Sequence, residues 1–220
     1  MKRSFLIFLL IFCFPYLLRG EEWSYVIKWM GVIAGTFRIE IKREDKLAKL
    51  RGELRTRGIY YLLYPVRDIL FSEWDIEEER LRFVRMSIRE GRYRRKEEKY
   101  FEKEEGFVDP LTFFYLLGKV REGEKTFAVY AQGKTKEVRV RSVGKEDLKI
   151  YSDKFSTIKL LPVWESKGLK GLARRIKKLE LWVEEKKGIP LLIEAKTKWG
   201  PVTVLLRNRK ELLHDRVGED

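Results

Sequence analysis

The chain has 220 residues, 37% charged and 44% hydrophobic, with 48 Lys and Arg against 34 Asp and Glu. That composition excludes a disordered chain, a collagen-like chain and a polytopic membrane protein. A single Cys excludes an internal disulfide framework, and a single His leaves His-based metal sites and Ser-His or Cys-His catalysis without material.

Lys2 and Arg3 precede an apolar run from Ser4 to Leu18, closed by Arg19, Gly20 and the acidic pair Glu21-Glu22. This is the layout of a secretory signal peptide. The run is shorter than the about 20 apolar residues that a spanning helix needs. Residues 1–20 are therefore expected to direct export, which places the protein in the periplasm or cell envelope. Gly20 suits the last position before cleavage, whereas Leu18 is large for its place. Two fates stay open: removal of the signal, or its retention as an inner-membrane tether. Bulky Phe12 before Cys13 argues against a lipoprotein. Loss of Cys13 with the signal would leave no thiolate ligand or nucleophile in the mature chain.

Removing Lys2, Arg3 and Arg19 leaves 45 basic residues against 34 acidic ones, a net charge of about +11. Export sets nucleic acid aside as a partner. Lipid or glycolipid head groups, other envelope polymers and envelope proteins remain. Asn208 is the only Asn and Gln132 the only Gln. Depleted amides beside abundant ionic residues are also a mark of heat adaptation.

From Glu22 the sequence alternates. Trp23, Tyr25, Ile27 and Trp29 form one apolar row, Phe37, Ile39 and Ile41 a second, and Ala48, Leu50, Gly52 and Leu54 a third. Period two over such lengths predicts half-buried antiparallel strands. Gly31 and Gly35 bracket a break between the first two. Further strands are expected at 71–76, 80–89, 93–102, 125–132, 136–143, 148–151, 155–163, 178–185, 190–198 and 202–206. Lys186-Lys187-Gly188 and Trp199-Gly200-Pro201 read as turns between the last three. The intervals are short, so parallel βαβ units are not expected. The prediction is a mainly β domain over residues 21–208. It has roughly ten to twelve antiparallel strands in a curved sheet or barrel-like form, or in a sandwich. Residues 209–220 read as a polar tail.

Two stretches break the pattern. Asp109 to Gly118 carries helix signals: Asp109 as N-cap, Pro110 at the first helical position and Gly118 as the stop. The helix between them is apolar nearly all round and should be buried. Ile59 to Tyr64, stopped by Pro65, reads as a helical turn or a wide connection.

Several of these residues carry a resemblance. They are Tyr25 with Trp29 to Gly35, then Arg89-Glu90-Gly91-Arg92-Tyr93. Asp109-Pro110-Leu111-Thr112 follows with Tyr115-Leu116-Leu117, and last come Leu181-Trp182-Val183, Ile189-Pro190 and Gly200. In order and spacing they resemble the bacterial exported-protein family catalogued as domain of unknown function 3108, from about Trp23 to Leu206. That family pattern has Ser where Thr112 stands and usually Arg where Gly118 stands. The resemblance implies an envelope protein with a β-rich fold, and it assigns no catalytic residue.

The candidate ligand-binding residues are Phe113, Phe114, Tyr115 and Leu117 of the helix, with Tyr60 and Tyr61 of the second aromatic stretch. They line an apolar pocket in one reading and fill the core in the other. Arg92, Arg94 and Arg95, with Arg174 and Arg175, are candidates for an anionic or lipid head group. The alternative is a solvated strand face with Glu97, Glu98 and Glu180 as partners. Carboxylate clusters such as Asp75 with Glu77 to Glu79, or Glu104-Glu105, carry no signal of a catalytic pair. Ser156, Thr157 and Ser166 have no base, and His214 has no fellow ligand. No catalytic residue, metal or cofactor is expected. The sequence favours a non-enzymatic envelope module for an apolar or amphiphilic ligand. A structural or interaction protein with a filled core is the alternative.

Overall fold

The computed structural model describes residues 20–102, 106–131, 133–164 and 175–207. The signal run with Cys13, the tail with His214, and Glu104, Glu105, Ser166 and Arg174 lie outside the described residues.

The alternating segments become strands. They are β1 (Glu21–Trp29), β2 (Val32–Glu44), β3 (Leu47–Thr56), β4 (Arg67–Asp75), β5 (Arg80–Glu90), β6 (Tyr93–Tyr100) and β7 (Phe107–Val108). After these come β8 (Glu124–Ala131), β9 (Lys134–Ile150), β10 (Asp153–Trp164), β11 (Ile176–Glu184), β12 (Pro190–Thr197) and β13 (Gly200–Leu206). Helix α1 spans Gly58–Leu63 and α2 spans Pro110–Leu117. All 13 strands join one sheet, in the order β6-β5-β4-β3-β2-β1-β13-β12-β11-β10-β9-β8-β7. The fold is therefore the mainly β, single-sheet class expected, with one more strand than the upper estimate.

Tyr25, Ile39, Ile41, Ala48 and Leu50 are buried, so the predicted rows do face the core. β1 is the hinge of the order. It pairs with its neighbour β2 and also with β13, in the register Tyr25↔Leu206 to Trp29↔Val202. That pairing joins the two halves of the chain. The sheet then curls until its outer strands meet. The Tyr130 hydroxyl of β8 donates to the Glu97 carboxylate of β6. The Lys99 ammonium lies 4.9 Å over the Tyr130 ring and 4.6 Å over Phe101. Side chains, not a backbone ladder, bridge this seam.

Two expectations need correction. β7 runs parallel to β8, with Phe107↔Ala128 and Val108↔Val129, and α2 lies in the crossover between them. A parallel pair was excluded because no long helix was in view, yet an eight-residue helix with its loops suffices to reverse the chain. The strands expected at 136–143 and 148–151 merge into one, β9, which ends at Ile150. The break between them is a bulge at Val143–Gly144, where Gly144 has φ +140° and pairing shifts from Lys159↔Gly144 to Leu160↔Ser142. Gly118 ends α2 as expected, with an ordinary right-handed φ of −60°, so freedom at positive φ is not why glycine stands there.

α2 lies on the concave face and fills most of it. Leu111 sits beneath Gly52 of β3, where an added Cβ would stand 2.9 Å from Leu111 Cδ1. Phe114 meets Tyr25 and Phe37 edge-on at 5.9 and 5.6 Å, and Phe113 meets Phe127 at 5.2 Å. Two apolar clusters share the interior, one holding Leu111 and the other Leu116 and Leu117.

One buried carboxylate holds this helix. Asp109 Oδ1 accepts from the Thr112 amide at 3.1 Å, and Oδ2 accepts from the Leu111 amide at 3.0 Å. The Ser72 hydroxyl of β4 donates to Oδ2 at 2.8 Å, so the cap also ties α2 to the sheet. Burial pushes the Asp109 carboxyl above its ordinary range, and its hydrogen bonds only partly oppose this.

Asp109→Ala is expected to cost more than the about 1 kcal/mol of an exposed cap, because three buried donors lose one acceptor. A raised folded pKa means that Asp109's own contribution is full below the unfolded value, near 3.9. It is lost as pH rises through the folded value. The stability of the native chain relative to Asp109→Asn should therefore fall on going from pH 4 to pH 8. Urea midpoints of both proteins across that range check it.

Candidate functional site

The strands that start or end near Glu21 form one mouth of the curled sheet. There the interior opens into a cleft of about 1170 Å³. Its apolar floor comes from Trp23 of β1, Tyr115 of α2, Phe155 of β10, Ile189 and Leu191 around the start of β12, and Leu206 of β13. Arg43, Lys119, Arg121 and Lys187 stand at the rim, with Glu21, Asp153 and Glu184 among them. Glu21 is engaged with Arg43 at 3.2 Å. The site thus pairs an aromatic and aliphatic base with an ionic edge.

The cleft keeps its shape through two fixed points. Tyr25 is fully buried beside it, and its hydroxyl donates to the Pro190 carbonyl at 3.0 Å. Burial raises the Tyr25 phenol well above its ordinary pKa, so it remains a donor. Beneath the floor, Gly118 and Gly188 meet backbone to backbone. A Cβ on Gly118 would stand 2.0 Å from the Gly188 carbonyl oxygen, and one on Gly188 would stand 2.6 Å from the Gly118 carbonyl oxygen. Gly188 also holds φ +71°. The turn after β11 is pressed against the end of α2, and both glycines line the cleft.

The sequence-predicted ligand residues separate. Tyr115 lines the cleft. Leu117 is buried, and Phe113 and Phe114 point their rings into aromatic contacts within the sheet. Tyr60 and Tyr61 lie on α1, which packs on β2 at the opposite end. Trp23, Phe155, Ile189, Leu191 and Leu206 were not singled out as a site. They come from the ends of separate strands, and only their shared mouth unites them.

The basic candidates also part. Arg95 pairs with Glu97 at 2.6 Å, and Arg94 donates to the Tyr93 carbonyl at 2.9 Å within its own hairpin. Arg92 is exposed in the same hairpin. Arg175 stands at the same end of the sheet, with its guanidinium carbon 3.5 Å from the centre of the Trp199 ring and 5.9 Å from that of Tyr64, which packs on Gly91 of the Arg92 hairpin. Arg94 and Arg95 are engaged within their own hairpin, and Arg175 with aromatic rings.

Asp75 is a turn cap. Its Oδ1 accepts from the amides of Glu77 and Glu78 at 3.0 and 2.9 Å, and Arg82 pairs with Oδ2. The Ser24 hydroxyl at the cleft donates to Glu22 at 3.3 Å. Among the described residues no group of three or more His, Cys, Asp or Glu is placed to hold a metal ion. What this arrangement offers chemically is apolar contact below and charge above.

Comparisons with known proteins agree with the sequence resemblance. The family model described as Protein of unknown function (DUF3108) matches residues 100–207. That stretch holds α2 with its cap, both cleft glycines and most of the cleft floor. No curated protein matches the chain. Among solved structures, the crystal structure of a beta-barrel-like protein of domain of unknown function DUF1849 from Brucella abortus is similar. It has 10% identity and a TM-score of 0.49, over 87% of this chain and 97% of that one.

Gly118→Ala tests the floor. The backbone at Gly118 suits any residue, so the whole effect is the collision with Gly188. A loss of about 1–3 kcal/mol is expected, as for an overpacked core. Equal urea midpoints for the two proteins would contradict it.

Proposed function

We propose that this protein is an exported, non-enzymatic binding module of the cell envelope that holds a lipid-like amphiphile in the cleft. One observation carries the reading: a cleft of about 1170 Å³ opens at the Glu21 mouth, with an apolar floor and an ionic rim. Ligand pockets typically enclose about 300–1,000 Å³, mostly apolar with a few polar groups. An acyl or other apolar portion suits Trp23, Phe155, Leu191 and Leu206. The head group then lies among Lys119, Arg121 and Lys187, which make no ion pair among the described residues. The leader-like run of residues 1–20 supports export.

A second reading has its own support. α2 occupies the concave face where a carrier would keep a tunnel, and this favours an interaction protein with a filled core. The two readings differ only in the cleft.

The test is direct. The chain is recovered after export from a bacterial host, extracted with organic solvent, and the extract analysed by mass spectrometry. The carrier reading expects one amphiphile near one equivalent. Phe155→Asp, at a half-buried position on the cleft floor, should lose it while keeping the native circular dichroism spectrum. An empty, folded native protein would favour the filled-core alternative.

A further inference from the structure

The end of the sheet opposite the cleft has a different character. β1 leaves the cleft at Glu21 and reaches Trp29, and β13 starts back from Gly200. The β1–β2 turn, the β12–β13 turn and α1 therefore gather at the far end. They are tied together. Trp29 Nε1 donates to the Trp199 carbonyl at 2.8 Å, and the Met30 amide donates to the Pro201 carbonyl at 2.9 Å. The Arg57 amide donates to the Ala34 carbonyl at 2.8 Å, which docks the start of α1 on β2. The Trp29 ring lies 5.3 Å from Tyr60 and 6.1 Å from Trp199.

This platform turns apolar side chains outward. Met30, Val32 and Ile33 project from the first turn, and Ile59, Leu62 and Leu63 from α1. Leu62 is 79% exposed and Leu63 68%. Tyr61 and Trp199 are exposed beside them. Isolated exposed apolar residues are ordinary, but a gathered set marks an interaction surface.

Charge identifies what it faces. The segments that build this end, Lys28–Thr36, Arg55–Arg67 and Lys196–Thr203, contain no Asp and no Glu. They carry Lys28, Arg55, Arg57, Arg67, Lys196 and Lys198, of which Arg55 pairs with Glu53, and Arg175 stands over the Trp199 ring. The β5–β6 turn also reaches this end, but its Glu90 and the neighbouring Asp68 are buried, so the exposed collar around the apolar tip is basic. A protein partner presents discrete charges that a docking face matches with both signs. A continuous anionic surface with an apolar layer beneath it is matched by this tip and collar. Trp and Tyr at the margin suit the head-group level.

We propose that this end docks on an anionic lipid bilayer, with α1 and the two turns entering the interface. No helix among the described residues is long and apolar enough to cross a membrane, so the contact is interfacial. The inference does not depend on the cleft or its ligand.

The experiment compares the exported chain with two variants, Leu62→Asp/Leu63→Asp and Arg57→Glu/Lys198→Glu. Each is sedimented with vesicles of phosphatidylcholine, with and without 30% phosphatidylglycerol. All the changed side chains are exposed, and unchanged thermal midpoints will verify folding. The native chain should pellet with the anionic vesicles, and less so in 0.5 M salt, where the screening length falls to a few ångströms. Both variants should partition at least about tenfold more weakly, as expected for loss of apolar insertion or of head-group attraction. Equal pelleting of native chain and variants would overturn the proposal, as would no pelleting of the native chain. A native dimer that Leu62→Asp/Leu63→Asp converts to monomer, without vesicle binding, would overturn it in favour of a second copy of this chain.

Discussion

The contact on which the molecule depends is that between Asp109 and three donors. An ionisable carboxyl in an apolar interior is costly unless its oxygens are satisfied. Here two backbone amides and the Ser72 hydroxyl satisfy them. The same bonds begin α2, aim it along the concave face and tie it to β4. Phe113, Phe114, Leu111 and Leu117 reach their places because that first turn is fixed. The interior of the sheet is thus organised around a helix of eight residues.

That helix also explains why space remains at one mouth. α2 is shorter than the strands around it. It stops at Gly118, pressed on Gly188, and Tyr115 is left facing outward beside the ends of β1, β12 and β13. At the other mouth α1 and two turns close over Trp29 and Tyr60. The two ends are therefore unlike. One is concave and ionic at its rim; the other is convex and apolar.

Much of the architecture was legible in the residues. Alternation located β1 to β3, because each has one face in the core and one in water. Asp109, Pro110 and the apolar run named α2 correctly, because cap and proline act locally. Other features were not local. β7 has two residues and no period to read. β9 passes through Gly144, where a glycine that looks like a stop is a bulge within a continuing strand. Gly118 reads correctly as a helix stop, but its contact with Gly188, 70 positions away in the sequence, has no local signal. The cleft was hidden for the same reason. Its floor is assembled from the ends of β1, α2, β10, β12 and β13, and no single element supplies it. Reading the helix alone pointed to Phe113 and Phe114, which the fold spends on packing.

The seam between β6 and β8 has one more consequence. A sheet that curls without closing its backbone ladder keeps free edges, and a free edge can add a strand from another molecule. β6 is such an edge. Between Tyr93 and Tyr100 every residue is charged: Arg94, Arg95, Lys96, Glu97, Glu98 and Lys99. A second copy pairing there would have to strip water from a row of charges. The arginine cluster that reads, in isolation, as an anion site is thus a guard against fibrous assembly.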